Sequence, residues 1–210
     1  MIKALLLIFD PIPTWEKIVR ARRSLAFVLL VHVMPLLLIA SVFEAYGLHT
    51  WGKWQTTVQR DHPKQFAVNE TIIFEAAQLI LSLATVFLGA KIVKALGETF
   101  HGRHHYQQTF TVVAYGLSPV FMLRLLDGFT SISPWVSWCI GILLAGAILY
   151  HGVPRVMQPD PPQAFGLFLM TILLLFLITG LARFVTAWYL QGRFAKLEPY
   201  ISAVSQRLPF

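Results

Sequence analysis

Five long apolar segments, separated by short polar stretches, dominate this sequence. They cover residues 24–43, 71–96, 109–126, 135–150 and 164–188. An apolar run of about 18 residues or more crosses the hydrocarbon core of a bilayer as a helix. A backbone inside lipid must satisfy its own hydrogen bonds, which favours helices for such segments. The sequence therefore predicts an all-α integral membrane bundle of five transmembrane helices.

The composition agrees with a membrane protein and argues against a nucleic-acid partner. Hydrophobic residues make up 56% of the chain and charged residues 13%, whereas about a quarter of a soluble domain is charged. The net charge of +7 would suggest nucleic-acid binding in a soluble domain. Here the basic residues lie mostly at the ends of apolar segments, where they meet lipid headgroups. We therefore expect membrane lipids, and no nucleic acid, as partners.

The N-terminal region is predicted to carry a short helix along the membrane surface. Pro11 and Pro13 break any earlier helix, so Thr14 is the predicted N-cap of a helix over residues 15–23. Trp15 begins its apolar side, which we expect to face lipid, while its basic side faces anionic headgroups. The predicted headgroup contacts here and at the second apolar segment are Lys17, Arg20, Arg22, Arg23, Lys91 and Lys94.

The polar stretches predict both the division of the chain and its orientation. An interfacial N-terminal segment, a five-span membrane domain and a C-terminal tail cover residues 1–23, 24–188 and 189–210. Basic residues close to the ends of membrane helices favour the cytoplasmic side. Arg22 and Arg23 directly precede the first apolar segment, and Lys91 and Lys94 close the second. With five crossings, the N-terminus is therefore predicted in the cytoplasm and the C-terminus outside.

Five charged residues near the predicted outer ends of the segments form a candidate charged layer. They are Glu44, Glu75, Arg124, Asp127 and Arg183. Because charges are costly in lipid, two cations and three carboxylates at one depth are expected to pair across helices. One interpretation is a polar clamp that holds the helices together. The other is an ion or proton site of a small transporter or channel, with His32 as a further group. A continuous polar path past His32 to the inner face would distinguish them.

A cluster of histidines in the loop after the second segment is a candidate metal site. It contains His101, His104 and His105, with Glu98 as the nearest carboxylate. Histidines can bind zinc, which would suit a membrane enzyme acting on lipid. However, adjacent histidines rarely share one ion, and Arg103 repels a cation. No catalytic triad, phosphate-binding glycine loop or zinc-protease motif is present in the sequence. We predict no metal, no cofactor and no enzymatic activity.

The third apolar segment contains a motif that disrupts a regular helix. Residues 113–119 read Val-Ala-Tyr-Gly-Leu-Ser-Pro. The small side chains of Gly116 and Ser118 let a neighbouring helix approach closely. Pro119 leaves a carbonyl one turn back without its donor and kinks the helix, and Tyr115 offers a hydroxyl for that carbonyl. The motif predicts either a kinked packing helix or a kink that shapes a groove for a lipid or partner.

This motif is similar to the GY-S-x-x-P signature of the Ypt-interacting protein (Yip) family. Pro11, Thr14 and Trp15 resemble the P-x-x-T-W start of the bacterial members of that family. The resemblance implies a five-helix membrane domain with a cytoplasmic N-terminus. For the eukaryotic members it implies binding of small Rab-type GTPases in early secretory traffic.

The chain departs from the eukaryotic members of the family in two ways. It lacks their long cytoplasmic N-terminal region and the acidic D-L-Y-G-P stretch before the first span. Both departures argue against small-GTPase binding and favour a bacterial-type member in the cytoplasmic (inner) membrane. The expected role is a non-enzymatic scaffold, organiser or accessory subunit that binds lipids and other membrane proteins.

Overall fold

The computed structural model describes residues 2–55, 62–100 and 104–193, which form a bundle of helices. The helices are α1 (Ile2–Phe9), α2 (Pro11–Ala21), α3 (Leu25–Thr50), α4 (Val68–Thr99), α5 (Tyr106–Gly128), α6 (Pro134–Met157) and α7 (Pro161–Leu190). The last five are long and apolar enough to cross a membrane. No strand is assigned in the described ranges. The predicted all-α bundle of five membrane helices is confirmed.

The membrane helices extend beyond the apolar segments that predicted them. α3 continues to Thr50, so Glu44 lies inside this helix and does not open a loop. α6 continues past Tyr150 to Met157 and includes Pro154. Both extensions bury further apolar residues, such as Leu48 in α3 and Met157 in α6. Packing between helices therefore continues beyond the most apolar windows.

The N-terminal segment differs from its prediction in where the second helix begins. α2 starts at Pro11, and Asp10 holds the N-cap position. Proline is tolerated in a first helical turn because the N–H it lacks would have no helical partner there. Thr14 is therefore not an N-cap; it lies inside α2 and is buried.

The apolar side of α2 packs on the bundle, which corrects the prediction that it faces lipid. Trp15 is fully buried, and its indole Nε1 donates to the carbonyl of Ile148 in α6, 3.0 Å away. Gly152 of α6 makes room for the indole, since a Cβ there would lie 2.4 Å from Trp15 Cζ2. The basic residues Lys17 and Arg20 stay exposed on the opposite side.

Two prolines interrupt the membrane helices and position the polar residues beside them. Pro35 of α3 follows a wider π-helical turn over Leu29–Val33, which contains His32. A π turn of this kind accommodates the ring that would otherwise clash with a carbonyl one turn back. Pro119 follows a break in α5 at Leu117. The predicted interruption of the third segment is therefore present.

The closest approach between membrane helices predicts a strong effect of one added methyl group. A Cβ on Gly47 of α3 would lie 2.1 Å from the backbone oxygen of Gly128 at the end of α5. We expect Gly47→Ala to lower the free energy of unfolding by about 1–3 kcal/mol, because two backbones must separate. Chemical unfolding of the purified protein in detergent measures this loss. Gly146→Ala is the control, since its Cβ would lie 3.7 Å from Ile172; equal effects would contradict the prediction.

Candidate functional site: two polar clusters in the bundle

The first half of the charged layer joins α3, α4 and α5 through Arg124. The Nε of Arg124 donates to Glu44 Oε2 at 2.7 Å, and its Nη2 donates to Glu75 Oε2 and, at 2.8 Å, to Ser41 Oγ. Gln78 Nε2 also donates to Glu44 Oε2, at 2.8 Å. Arg124 is 5% exposed and Glu44 is fully buried. One guanidinium thus bridges two buried carboxylates from different helices.

The second half of the charged layer joins α5, α6 and α7 through Arg183. Its Nη2 donates to Asp127 Oδ2 at 2.5 Å and to Ser137 Oγ at 2.7 Å, and its Nε donates to the carbonyl of Pro134 at 2.8 Å. Ser137 Oγ donates in turn to Asp127 Oδ1 at 2.5 Å. The two halves meet on α5, where Arg124 and Asp127 pair with other helices and not with each other.

Lys53 supplies a further cation that the sequence did not connect with this layer. It belongs to the loop after α3, and its Nζ donates to the carbonyls of Asp127 and Phe129 at 2.6 and 2.7 Å. Burial lowers the pKa of Lys53, while the charges of Asp127 and Glu44 oppose that shift. With Lys53, three cations match the three carboxylates of the charged layer. A cation at the end of a helix also interacts favourably with its last carbonyls.

Several buried atoms of the layer keep unused hydrogen-bonding capacity. Among the described residues, Glu44 Oε1, Glu75 Oε1, Gln78 Oε1 and Arg124 Nη1 are buried without a hydrogen-bond partner. Gln78, Arg124 and Arg183 line a cavity of about 60 Å³ between the helices. The cavity is large enough for one or two water molecules, and these side chains offer the polar partners that such waters need.

A second polar cluster brings together the two motifs that the sequence singled out. His32 Nε2 lies 2.8 Å from Ser118 Oγ, and the His32 and Tyr115 ring centroids are 4.0 Å apart. The Tyr115 ring also meets Trp15, with centroids 6.3 Å apart. The hydroxyl of Ser118 donates to the carbonyl of Ala114 at 3.2 Å, which leaves its oxygen to accept from His32. Ser118, and not Tyr115, therefore bonds a carbonyl one turn back.

The remaining motif residues contribute to packing around this cluster. A Cβ on Gly116 would lie 2.4 Å from Leu149 Cδ2, so α6 approaches α5 closely here. Pro119 and Thr14 are buried nearby in α5 and α2, and Pro11 begins α2. The motif around Trp15 thus docks on the same region of the bundle as the motif of α5.

An apolar stretch separates the two polar clusters along the helices that carry them. On α3, the buried residues between His32 and Ser41 are Val33, Leu36, Leu37 and Ala40. On α5, Phe121 is buried between Ser118 and Arg124. These residues are apolar members of the bundle interior and offer no hydrogen-bonding groups. The continuous polar path that a transporter would need past His32 is not seen along these two helices.

The contact between His32 and Ser118 predicts a measurable coupling free energy. We expect His32→Ala and Ser118→Ala to be non-additive by about 0.6–1.7 kcal/mol, as for hydrogen bonds between membrane helices. Unfolding of the two single variants and the double variant in detergent gives this value. The control pairs His32→Ala with Ser137→Ala, a serine of the other cluster, for which we expect additivity. Additive effects at His32 and Ser118 would contradict the assigned bond.

The histidine cluster is only partly described, and its described members are not grouped as metal ligands. His104 Nε2 lies 3.3 Å from the carbonyl of Lys94, while His105 is exposed. Glu98 pairs with Lys94 at 3.1 Å. His101 and Arg103 lie outside the described residues. Within the described ranges, no group of three metal-binding side chains occurs.

The residues predicted to contact headgroups lie at one end of the bundle, together with α1 and α2. We call this end the basic end. Arg20 forms an exposed pair with Glu16, and Lys91 is exposed on α4. Arg22 and Arg23 line a cavity between α2 and the membrane helices. Of the predicted C-terminal tail, residues 194–210 lie outside the described part, and α7 itself extends to Leu190.

Four partners of the charged layer were missed, and sequence spacing signals two of them. Ser41 precedes Glu44 by three residues, and Gln78 follows Glu75 by three, so each shares a helix face with its carboxylate. Ser137 lies one turn into α6 and has no such neighbour. The position of Lys53 depends on the path of a loop, which no helical periodicity signals.

A bundle of five apolar helices with buried interhelical ion pairs is a multi-pass integral membrane protein. Its exposed apolar side chains place it in contact with lipid. The model of the Yip1 domain family matches residues 5–183, which include both sequence motifs. The chain therefore belongs to the Yip1 domain family. Searches of curated proteins and of solved structures gave no match.

Proposed function

We propose that the chain is a non-enzymatic scaffold, organiser or accessory subunit of a membrane assembly. The observation that carries this proposal is the contrast between its interior and its exterior. The charged side chains of the interior pair with one another across α3, α4, α5 and α7, and Arg183 also donates to Ser137 and to the Pro134 carbonyl of α6. The exterior exposes large apolar side chains, such as Leu143 of α6 and Leu181 of α7. Such faces are suited to contact lipids and the helices of other membrane proteins.

We further propose a bacterial-type protein of the inner membrane, with the basic end in the cytoplasm. This orientation is supported by Arg22, Arg23, Lys91 and Lys94 close to helix ends. It is tested by labelling cysteines with a membrane-impermeant maleimide after Cys139→Ser. We expect Trp54→Cys to react in cells with a permeabilised outer membrane and Lys17→Cys only after the inner membrane is opened. The reverse pattern would overturn the orientation.

Partner binding is tested by site-specific photo-crosslinking in the native membrane. A photoreactive amino acid replaces Leu143 or Leu181, which are 74% and 70% exposed. The matched control is Leu149, which lies on the same helix as Leu143 and is fully buried. We expect discrete crosslinks to other membrane proteins from the exposed positions and none from Leu149. Crosslinks to lipid alone at both exposed positions would overturn the scaffold proposal.

A small transporter or channel is the second candidate, and one observation favours it. The buried atoms Glu75 Oε1 and Arg124 Nη1 lack partners in the described residues, as expected of groups that exchange a proton or an ion. The apolar residues between the two polar clusters oppose this function. Purified protein in liposomes should therefore pass no proton or ion current above that of empty liposomes. A current abolished by Glu75→Gln would favour transport.

A further inference from the structure

A large cavity lies at the basic end of the bundle, away from the charged layer. Its volume is about 460 Å³, and it lies where α1 and α2 meet the ends of α3, α5 and α6. The cations around it are Lys3, Arg22 and Arg23, together with the titratable His105. Ile18 and Val28 form part of an apolar wall. The cavity thus combines positive charge with an apolar surface at the end of the bundle where α3 and α5 begin and α6 ends.

The cations of this cavity lack acidic partners within the described part of the chain. No carboxylate lines the cavity, and none of Lys3, Arg22 and Arg23 forms a salt bridge there. Burial lowers the pKa of Lys3, and the nearby charge of Arg23 lowers it further. An anion in the cavity would relieve this repulsion. By contrast, Arg20 and Lys94 at the same end each have a glutamate partner.

The backbone around this cavity is strained at two points. Arg22 and Gln158 have φ angles of 40° and 46°, and they are the positive-φ residues other than glycine in the described ranges. Both line this cavity. Both residues end a helix, Arg22 as the C-cap of α2 and Gln158 as the C-cap of α6, and a side chain in this left-handed region is less favourable than glycine. The ends of these two helices therefore hold both side chains at the cavity.

The cavity walls also offer neutral hydrogen-bond donors. Gln107, Gln108 and Gln158 line it. Gln107 Nε2 donates to the carbonyl of Arg23 at 2.7 Å, which connects the start of α5 to the start of α3. The N-terminal end of α5 lies beside these residues and contributes partial positive charge. Cations, amide donors and a helix N-terminus are together the groups that recognise phosphate.

We propose that this cavity binds a phosphate group, carried by an anionic phospholipid or by a soluble phosphate compound. The bound group would contact α2, α3, α5 and α6 together. The packing of α2 against the bundle would then depend on the composition of the membrane. This inference does not depend on the scaffold proposal, because purified protein alone tests it.

The test is binding of phosphatidylglycerol and phosphatidylcholine in mixed micelles to the purified full-length protein. We expect the affinity for phosphatidylglycerol to be about tenfold or more above that for phosphatidylcholine, because each of the three cations attracts an anionic headgroup. The cavity variant Lys3→Gln/Arg22→Gln/Arg23→Gln should lose this preference. The control Lys17→Gln/Arg20→Gln/Lys91→Gln removes equal charge from the same end and should keep it. Inorganic phosphate is added as a competitor: displacement of the lipid indicates a soluble ligand, and no displacement indicates the lipid headgroup.

A second variant separates binding from folding. Arg22→Gly removes the side chain and relieves the positive φ, so we expect equal or higher thermal stability together with a weaker preference for phosphatidylglycerol. An unchanged preference in Arg22→Gly and in the cavity variant would overturn the proposal. Equal losses in the cavity variant and its control would also overturn it, because general surface charge would then explain the binding.

Discussion

Arg124→Ala is expected to lower the free energy of unfolding by about 3–5 kcal/mol. Arg124 neutralises Glu44 and Glu75 inside the bundle, so its removal leaves two carboxylates buried together without a cation. Glu44 is fully buried, and Glu75 is only 8% exposed. Chemical unfolding of the purified protein in detergent measures the loss.

Two further variants make this expectation specific to buried charge. Arg20→Ala removes an arginine whose side chain is 82% exposed and paired with Glu16, and exposed pairs contribute only about 0–1 kcal/mol. Adding Glu44→Gln and Glu75→Gln to Arg124→Ala should recover part of the lost stability, because the unpaired charges are then removed. An effect of Arg124→Ala no larger than that of Arg20→Ala would contradict the clamp.

Trp15→Ala is expected to cost about 3–5 kcal/mol, as for other fully buried tryptophans. The ring fills the space beside Gly152 and contacts Tyr115, and its Nε1 bonds the carbonyl of Ile148. Its removal opens a cavity and leaves that carbonyl without this donor, so α2 should separate from the bundle. Unfolding in detergent measures the stability, and trypsin cleavage at Arg20 measures the release of α2.

Ile12→Ala is the control on the same helix, because Ile12 is 43% exposed. It should change stability by less than about 1 kcal/mol and leave trypsin cleavage at Arg20 slow. If Trp15→Ala gave the same cleavage rate as Ile12→Ala, α2 would not be held by its tryptophan. The docking described at the basic end would then be incorrect.

The prolines of α5 and α2 illustrate how far local sequence signals reached. The break in α5 before Pro119 is confirmed, because a missing N–H and a ring clash act within one turn. The first turn of α2 shows where such signals fail. Residues 10–13 were predicted to end the first helix, and α1 does end at Phe9. However, α2 begins at Pro11 and not after Thr14, because proline is tolerated in a first helical turn.

The sequence alone determined the number of membrane helices and the residues of the charged layer. Apolar length gives the former, and the cost of charge in lipid singles out the latter. Only the tertiary structure decided that Arg124 pairs with Glu44 and Glu75 and Arg183 with Asp127. It also decided that Trp15 enters the bundle and that cations without an acidic partner in the described residues surround one cavity. Periodicity places a side chain on a face of its own helix, but the identity of the facing helix depends on packing between distant segments.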